Sequence, residues 1–196
     1  MKRLPEMKKN PIDALGEALE IIKPNIEWEN SHPYLKKFQA MSPKKKGAIT
    51  EIIIDILLGS IIVKKRTGSE NDRIINGLVV EIKFSTKWEN KPTYKFQQFR
   101  PEQNPDYCLC FGVYPNGTWH FYAFRAKKLY TYLRVQHGGK KATTSNTYWF
   151  DLDPTNPPSW VKNVFGQDGT LETALKTLGI NINDIDIAIP SDKLLA

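Results

Sequence analysis

Two carboxylates and a lysine converge in the stretch from Asn71 to Phe84, NDRIINGLVVEIKF, once its turn is placed. Asn76-Gly77 is a strong hairpin signal, because a two-residue type I′ turn needs positive φ at both positions. With the turn there, Ile75 faces Leu78, and the same register carries Asp72 to a position directly opposite Glu81. Strand alternation puts Lys83 on the same face as Glu81. Carboxylates opposed across a ladder, with Cβ atoms roughly 5 Å apart, repel one another and do nothing for a sheet. A divalent cation between them turns the repulsion into a binding site with hard oxygen ligands, of the kind magnesium prefers. A lysine beside such a cation can orient or deprotonate a water, or offset charge developing on a phosphate. The plainer alternative is an ordinary hairpin with a surface Glu81 and a Lys83–Glu70 ion pair.

Asp72, eight intervening residues and then Glu81-Ile82-Lys83 resemble the PD-(D/E)xK nuclease motif, the active site of the restriction-endonuclease-like superfamily. Asn71 stands where that motif usually carries a proline. The resemblance implies an α/β (or α+β) fold, with a mixed β-sheet core flanked by helices and the active site at one end of the sheet. It also implies a magnesium-dependent DNA endonuclease, with manganese able to substitute, that leaves 5′-phosphates. Asp72, Glu81 and the Ile82 carbonyl would hold the metal, and Lys83 would activate or position the water. Within the superfamily, a stand-alone chain of this size suits a type II restriction endonuclease. Such an enzyme would work as a homodimer on a palindromic site in double-stranded DNA, with a cognate DNA methyltransferase as its companion. The alternatives are a structure-specific or repair nuclease resembling Holliday-junction resolvases, and a non-catalytic DNA-binding module.

The elements that must position these residues can be read outward from the hairpin. Ser42-Pro43 starts a helix, with serine as N-cap and proline at the first helical position, and Gly59 suits its end. Ile49, Ile52, Ile53, Ile54, Ile56, Leu57 and Leu58 leave this helix almost no polar face, which predicts a buried element. Glu51 and Asp55 lie one turn apart on it, and buried carboxylates are costly unless a cation or metal is near. In the resembling superfamily a glutamate often points from this helix into the metal site. Glu51 matches that place, with Asp55 as the other candidate and a salt bridge to lysine or arginine as the plainer reading. Ile61–Arg66 reads as a strand. Lys91–Arg100 is expected to be helical, and Gln97 or Gln98 matches a glutamine that related nucleases turn towards DNA or the attacking water; a surface glutamine is the alternative.

Asp106–Val113 and Trp119–Phe124 read as core strands joined by a turn at Tyr114-Pro115-Asn116-Gly117. Lys127–Leu133 suggests a short amphipathic helix, Thr147–Leu152 a strand, Leu171–Leu178 a helix ended by Gly179, and Ile180–Pro190 a last strand. Near the N-terminus, Asp13–Lys23 has a helical period between Pro11 and Pro24, and a short helical stretch follows Ser31-His32-Pro33. One domain spans residues 1–196: N-terminal helices over 1–41, a catalytic core over 42–135, and a basic loop with further elements over 136–196. The loop His137–Asn146 offers Lys140 and Lys141 to phosphates and Thr143, Thr144 and Ser145 to phosphates or base edges, with Lys87 as a further contact. A solvated loop is the alternative.

Bulk properties narrow the classes. The chain carries a net charge of +7, unevenly placed: 25 Lys and Arg against 14 Asp and Glu over residues 1–150, and 3 against 7 after that. A basic body with an acidic tail segment fits a nucleic-acid partner. No apolar run is long enough for a membrane span and no signal-peptide core follows the basic N-terminus, so the chain is read as cytoplasmic. Cys108 and Cys110 share one strand face, and with no other cysteine to complete a zinc site they read as core residues.

Overall fold

The computed structural model describes residues 26–58, 63–65, 73–88, 91–136, 147–181 and 183. Helices α1 (Ile26–Glu29), α2 (Pro33–Gln39) and α3 (Pro43–Leu58) precede strands β1 (Val63–Lys65), β2 (Arg73–Ile75), β3 (Leu78–Thr86) and β4 (Tyr94–Phe99). Then come β5 (Tyr107–Val113), β6 (Trp119–Arg125), α4 (Ala126–Leu129), β7 (Arg134–Gln136), β8 (Thr147–Leu152) and α5 (Leu171–Thr177). The strands form a five-stranded sheet in the order β1-β2-β3-β5-β6 and a three-stranded sheet in the order β4-β8-β7. The larger sheet is mixed: β3 and β5 run parallel, with Glu81 beside Cys108 and Lys83 beside Cys110, while its other pairs are antiparallel. The chain is thus an α+β protein built on a mixed sheet with helices packed against it.

The turn that sets the register is where the sequence puts it. Asn76 and Gly77 have φ of 49° and 79°, the two left-handed positions of a type I′ turn. Ile75 faces Leu78 and Arg73 faces Val80. The Asn76 amide also donates to the Leu178 and Gly179 carbonyls, tying the hairpin tip to the end of α5.

Alternation along the strands makes two cores. Val80, Ile82, Leu109, Phe111, Phe121 and Ala123 face α3 and α5, meeting Ile54, Leu58, Ala174, Leu175 and Leu178. On the opposite face Cys108, Cys110, Tyr122 and Phe124 meet Tyr94, Phe96 and Phe99 of β4, Phe150 and Leu152 of β8, and Ala126 and Leu129 of α4. Both cysteines are buried and unbridged, as expected of core residues.

Four expectations need correcting. Helix α3 is not buried all round: Ile54 and Leu58 are sealed against the sheet, whereas Ile52 is 51% and Ile56 75% exposed. A helix lying on one sheet face covers a single stripe, so residues two positions off that stripe turn outward. The segment expected as a helix over Lys91–Arg100 is strand β4, in which Tyr94, Phe96 and Phe99 are fully buried. The register slips between Phe96 and Phe99, and Gln98 takes a φ of 60°. This bulge breaks the period of two and leaves apolar spacings of two and then three, which imitate a helix. The helix expected over Lys127–Leu133 is the single turn α4, followed by strand β7, which the sequence reading did not foresee. Finally, Ile180 and Asn181 are not strand. The helix over Asp13–Lys23, the rest of the last strand and the loop His137–Asn146 lie outside the described residues, and among the described residues no helix is long and apolar enough to cross a membrane.

Candidate active site

Strand β3 presents Glu81 and Lys83 on the face covered by the smaller sheet. Glu81 is only 4% exposed, a burial that a carboxylate tolerates when a cation answers it. Lys83 is that cation: its ammonium pairs with a Glu81 oxygen and lies 5.7 Å from the centroid of the Phe99 ring. Burial pushes the Cys110 thiol well above its ordinary pKa and raises the Tyr130 hydroxyl, which lies 3.8 Å from the Cys108 sulfur. The alternative of a surface Glu81 therefore does not hold; Glu70 and Asp72 lie outside the described residues.

A second charged cluster sits across the sheet edge, between β2 and α3. Arg73, 5% exposed, donates from Nε to Asp55 Oδ1 at 2.7 Å and from Nη2 to Asp55 Oδ2 at 2.9 Å. Its Nη1 reaches Glu51 Oε2 at 2.7 Å. Hydrogen bonding to Asp55 raises the guanidinium pKa above its ordinary value; burial opposes this, and Glu51 adds to the rise. The cation demanded by the two acids of α3 is therefore present in the chain itself. Sequence reasoning missed Arg73, although it stands next to Asp72 in the hairpin that packs against this helix.

The two clusters are unequal in access. A cavity of about 490 Å³ is lined by Glu51, Ile82 and Lys83 together with Lys46, Lys95 and Gln97. Asp55 and Glu81 are not part of its lining. Glu51 thus turns one carboxylate oxygen to Arg73 while its side chain borders the space that Lys83 enters, and Glu81 lies beneath Lys83. Gln97 and Gln98 also border this cavity, the first half-buried and the second exposed at the bulge. Ser85 joins the two sheets at the cavity, its hydroxyl accepting from the Lys95 N–H at 2.9 Å and donating to the Thr86 carbonyl at 3.0 Å.

Of the expected DNA contacts, Lys87 is half-buried at the end of β3, outside the cavity, with its backbone N–H on the Val113 carbonyl. Lys140, Lys141, Thr143, Thr144 and Ser145 lie outside the described residues. Lys46, Thr50, Trp88 and Lys95, which the sequence reading did not single out, are also part of the cavity wall. Burial lowers the Lys46 pKa, and its ammonium donates to the Gln39 side chain at 3.0 Å.

As a metal site, the donors are hard. The Glu81 and Glu51 carboxylates and the Ile82 carbonyl are oxygen ligands of the sort magnesium takes. Among the described residues no group of three or more His, Cys, Asp or Glu could hold a metal by itself. The donor type fits magnesium, and a set of three acids would need Asp72.

No protein-family model matches the chain, and no curated protein matches it. Among solved structures, it is similar to a bacterial homing endonuclease, I-Ssp6803I, at 20% identity and a TM-score of 0.41, over 70% of this chain and 95% of that one. A likeness this slight says nothing of the chemistry.

Proposed function

We propose that this chain is a magnesium-dependent endonuclease of the PD-(D/E)xK type that hydrolyses phosphodiester bonds in double-stranded DNA. The observation that carries the reading is the pairing of buried Glu81 with Lys83 on the strand after the Asn76-Gly77 turn, with Lys83, Ile82 and Glu51 bordering one cavity. Asp72, Glu81, Glu51 and the Ile82 carbonyl would hold the metal. When bound, such an ion lowers the pKa of a coordinated water and offsets charge on the phosphate.

The chain's own groups do the rest. Lys83 donates to the attacking water or to a non-bridging phosphate oxygen, held in place by Glu81. The water oxygen bonds to phosphorus and gives its proton to solvent as the P–O3′ bond breaks, and the leaving 3′-oxygen takes a proton from a second water, leaving a 5′-phosphate and a 3′-hydroxyl. Lys46 and Lys95 in the cavity wall favour entry of an anionic backbone. At the finer level we read a type II restriction enzyme that acts as a cytoplasmic homodimer, partnered by a DNA methyltransferase and accepting manganese in place of magnesium.

The test is incubation of linear duplex and branched DNA with the protein in magnesium, in manganese and in EDTA. Discrete duplex fragments with either metal and none in EDTA are expected. Cleavage confined to branched DNA would move the assignment to a structure-specific nuclease. Binding without cleavage under either metal would leave a DNA-binding module.

A further inference from the structure

The outer face of the three-stranded sheet carries a feature that no packing need explains. Tyr94, Phe96, Phe150 and Leu152 turn inward and seal the second core, so the alternate residues Lys95 and Trp149 turn outward. There, the Lys95 ammonium lies 4.9 Å from the Trp88 ring centroid and 4.4 Å from that of Trp149. Arg134, the register partner of Trp149 on β7, has its guanidinium carbon 5.6 Å from the same ring. The order is thus ring, cation, ring, cation, running from Trp88 through Lys95 and Trp149 to Arg134. It begins at the cavity, since Trp88 and Lys95 also border the space that Lys83 enters.

The geometry points to this ladder as a binding track for the phosphodiester backbone of DNA leading into the cavity. A lysine seated between two rings is held in one orientation by the ring quadrupoles and keeps its N–H donors to offer a phosphate. The acid nearest in register is Asp151, directly opposite Lys95 on β8, and no ion pair joins the two among the described residues. Cations on two strands of one face suit a run of phosphates better than a single anion, and the half-exposed Trp88 ring gives the strand an apolar wall at the cavity mouth. The inference rests on the nuclease reading for the direction of the track, and on its own contacts for the binding.

The experiment is fluorescence anisotropy of a fluorescein-labelled duplex of mixed sequence, titrated in EDTA over a series of salt concentrations. Lys95→Ala and Arg134→Ala should each weaken binding several-fold and flatten the slope of log Kd against log salt by about one, the loss of roughly one phosphate contact. Lys95→Arg should restore the slope, because a guanidinium also stacks on rings. Should either alanine variant fail to fold, Lys95→Gln and Arg134→Gln keep the apolar stems over the rings and are expected to show the same flattening. Wild-type slopes in folded variants at both positions, or no duplex binding by the wild-type protein, would overturn the proposal. Because EDTA excludes cleavage, a lost slope in a protein that never cuts DNA would sink the nuclease reading and leave the track standing. A protein that cuts with an unchanged slope would do the reverse.

Discussion

Arg73 shows how a single residue can meet a demand that the sequence makes visible but does not resolve. Two acids in an apolar helix announce that a cation is needed, and either a metal ion or a basic side chain can supply it. The structure supplies Arg73, because the Asn76-Gly77 register brings it to the edge facing α3. The two acids then divide. Among the described residues, Asp55 accepts two hydrogen bonds from the guanidinium, while Glu51 accepts one and borders the cavity. Asp55→Asn is therefore expected to lower stability by about 1–2 kcal/mol, the smaller end for charged hydrogen bonds because the carboxylate is partly solvated. Its effect on cleavage should be small. Glu51→Gln should instead raise the magnesium concentration needed for half-maximal single-turnover cleavage, with little change in melting temperature. A magnesium titration and a thermal melt of both variants check this, and the reverse pattern would mean that Asp55 is the acid serving the site.

At the scale of elements, legibility followed local signals. The β2–β3 hairpin could be read because Asn-Gly fixes both turn type and register, and α3 could be placed because Ser42-Pro43 marks its start. Strand β4 could not be read, because its bulge at Gln98 replaces alternation with mixed spacing, and no sequence signal marks a bulge at a residue other than glycine. The β5–β6 pair was legible in its apolar runs, but its parallel partnership with β3 depends on β4 leaving for another sheet. The bulge also bears on the site. A left-handed φ at a residue with a Cβ costs roughly 1 kcal/mol, and strain of this kind gathers where a side chain must be aimed. Gln98→Gly should remove that strain and stabilise the fold by up to about 1 kcal/mol while lowering cleavage, since the side chain beside the cavity is lost. Chemical denaturation and initial cleavage rates measure the two effects. A variant that cuts at the wild-type rate would reduce Gln98 to a feature of the bulge alone.

For the whole molecule, the division of labour lies between the two faces of the mixed sheet. One face is sealed by α3 and α5 and anchors the hairpin, with Asn76 bonded to the end of α5. The other carries Glu81 and Lys83 beneath the smaller sheet, and the cavity lies between α3 and β4, where the ring–cation ladder begins. The basic excess over residues 1–150 was plain in the composition, but the placement of Lys46, Lys83 and Lys95 around one cavity was not. That arrangement needs β4, β7 and β8 to form a separate sheet, a long-range outcome that no local pattern announces. The proposed function requires the hairpin carrying Glu81 and Lys83 to perform the chemistry, with Asp72 as a metal ligand. Its most direct test is single-turnover cleavage of duplex DNA in magnesium by Lys83→Ala and Asp72→Asn, with melting temperature and duplex binding measured beside it. Both variants should fold and bind duplex as the wild type does, and both should cut at least about 100-fold more slowly, the scale of a lost acid–base or metal-ligand group. Folded variants that both cut at rates near wild type would contradict the assignment of this hairpin as the active site.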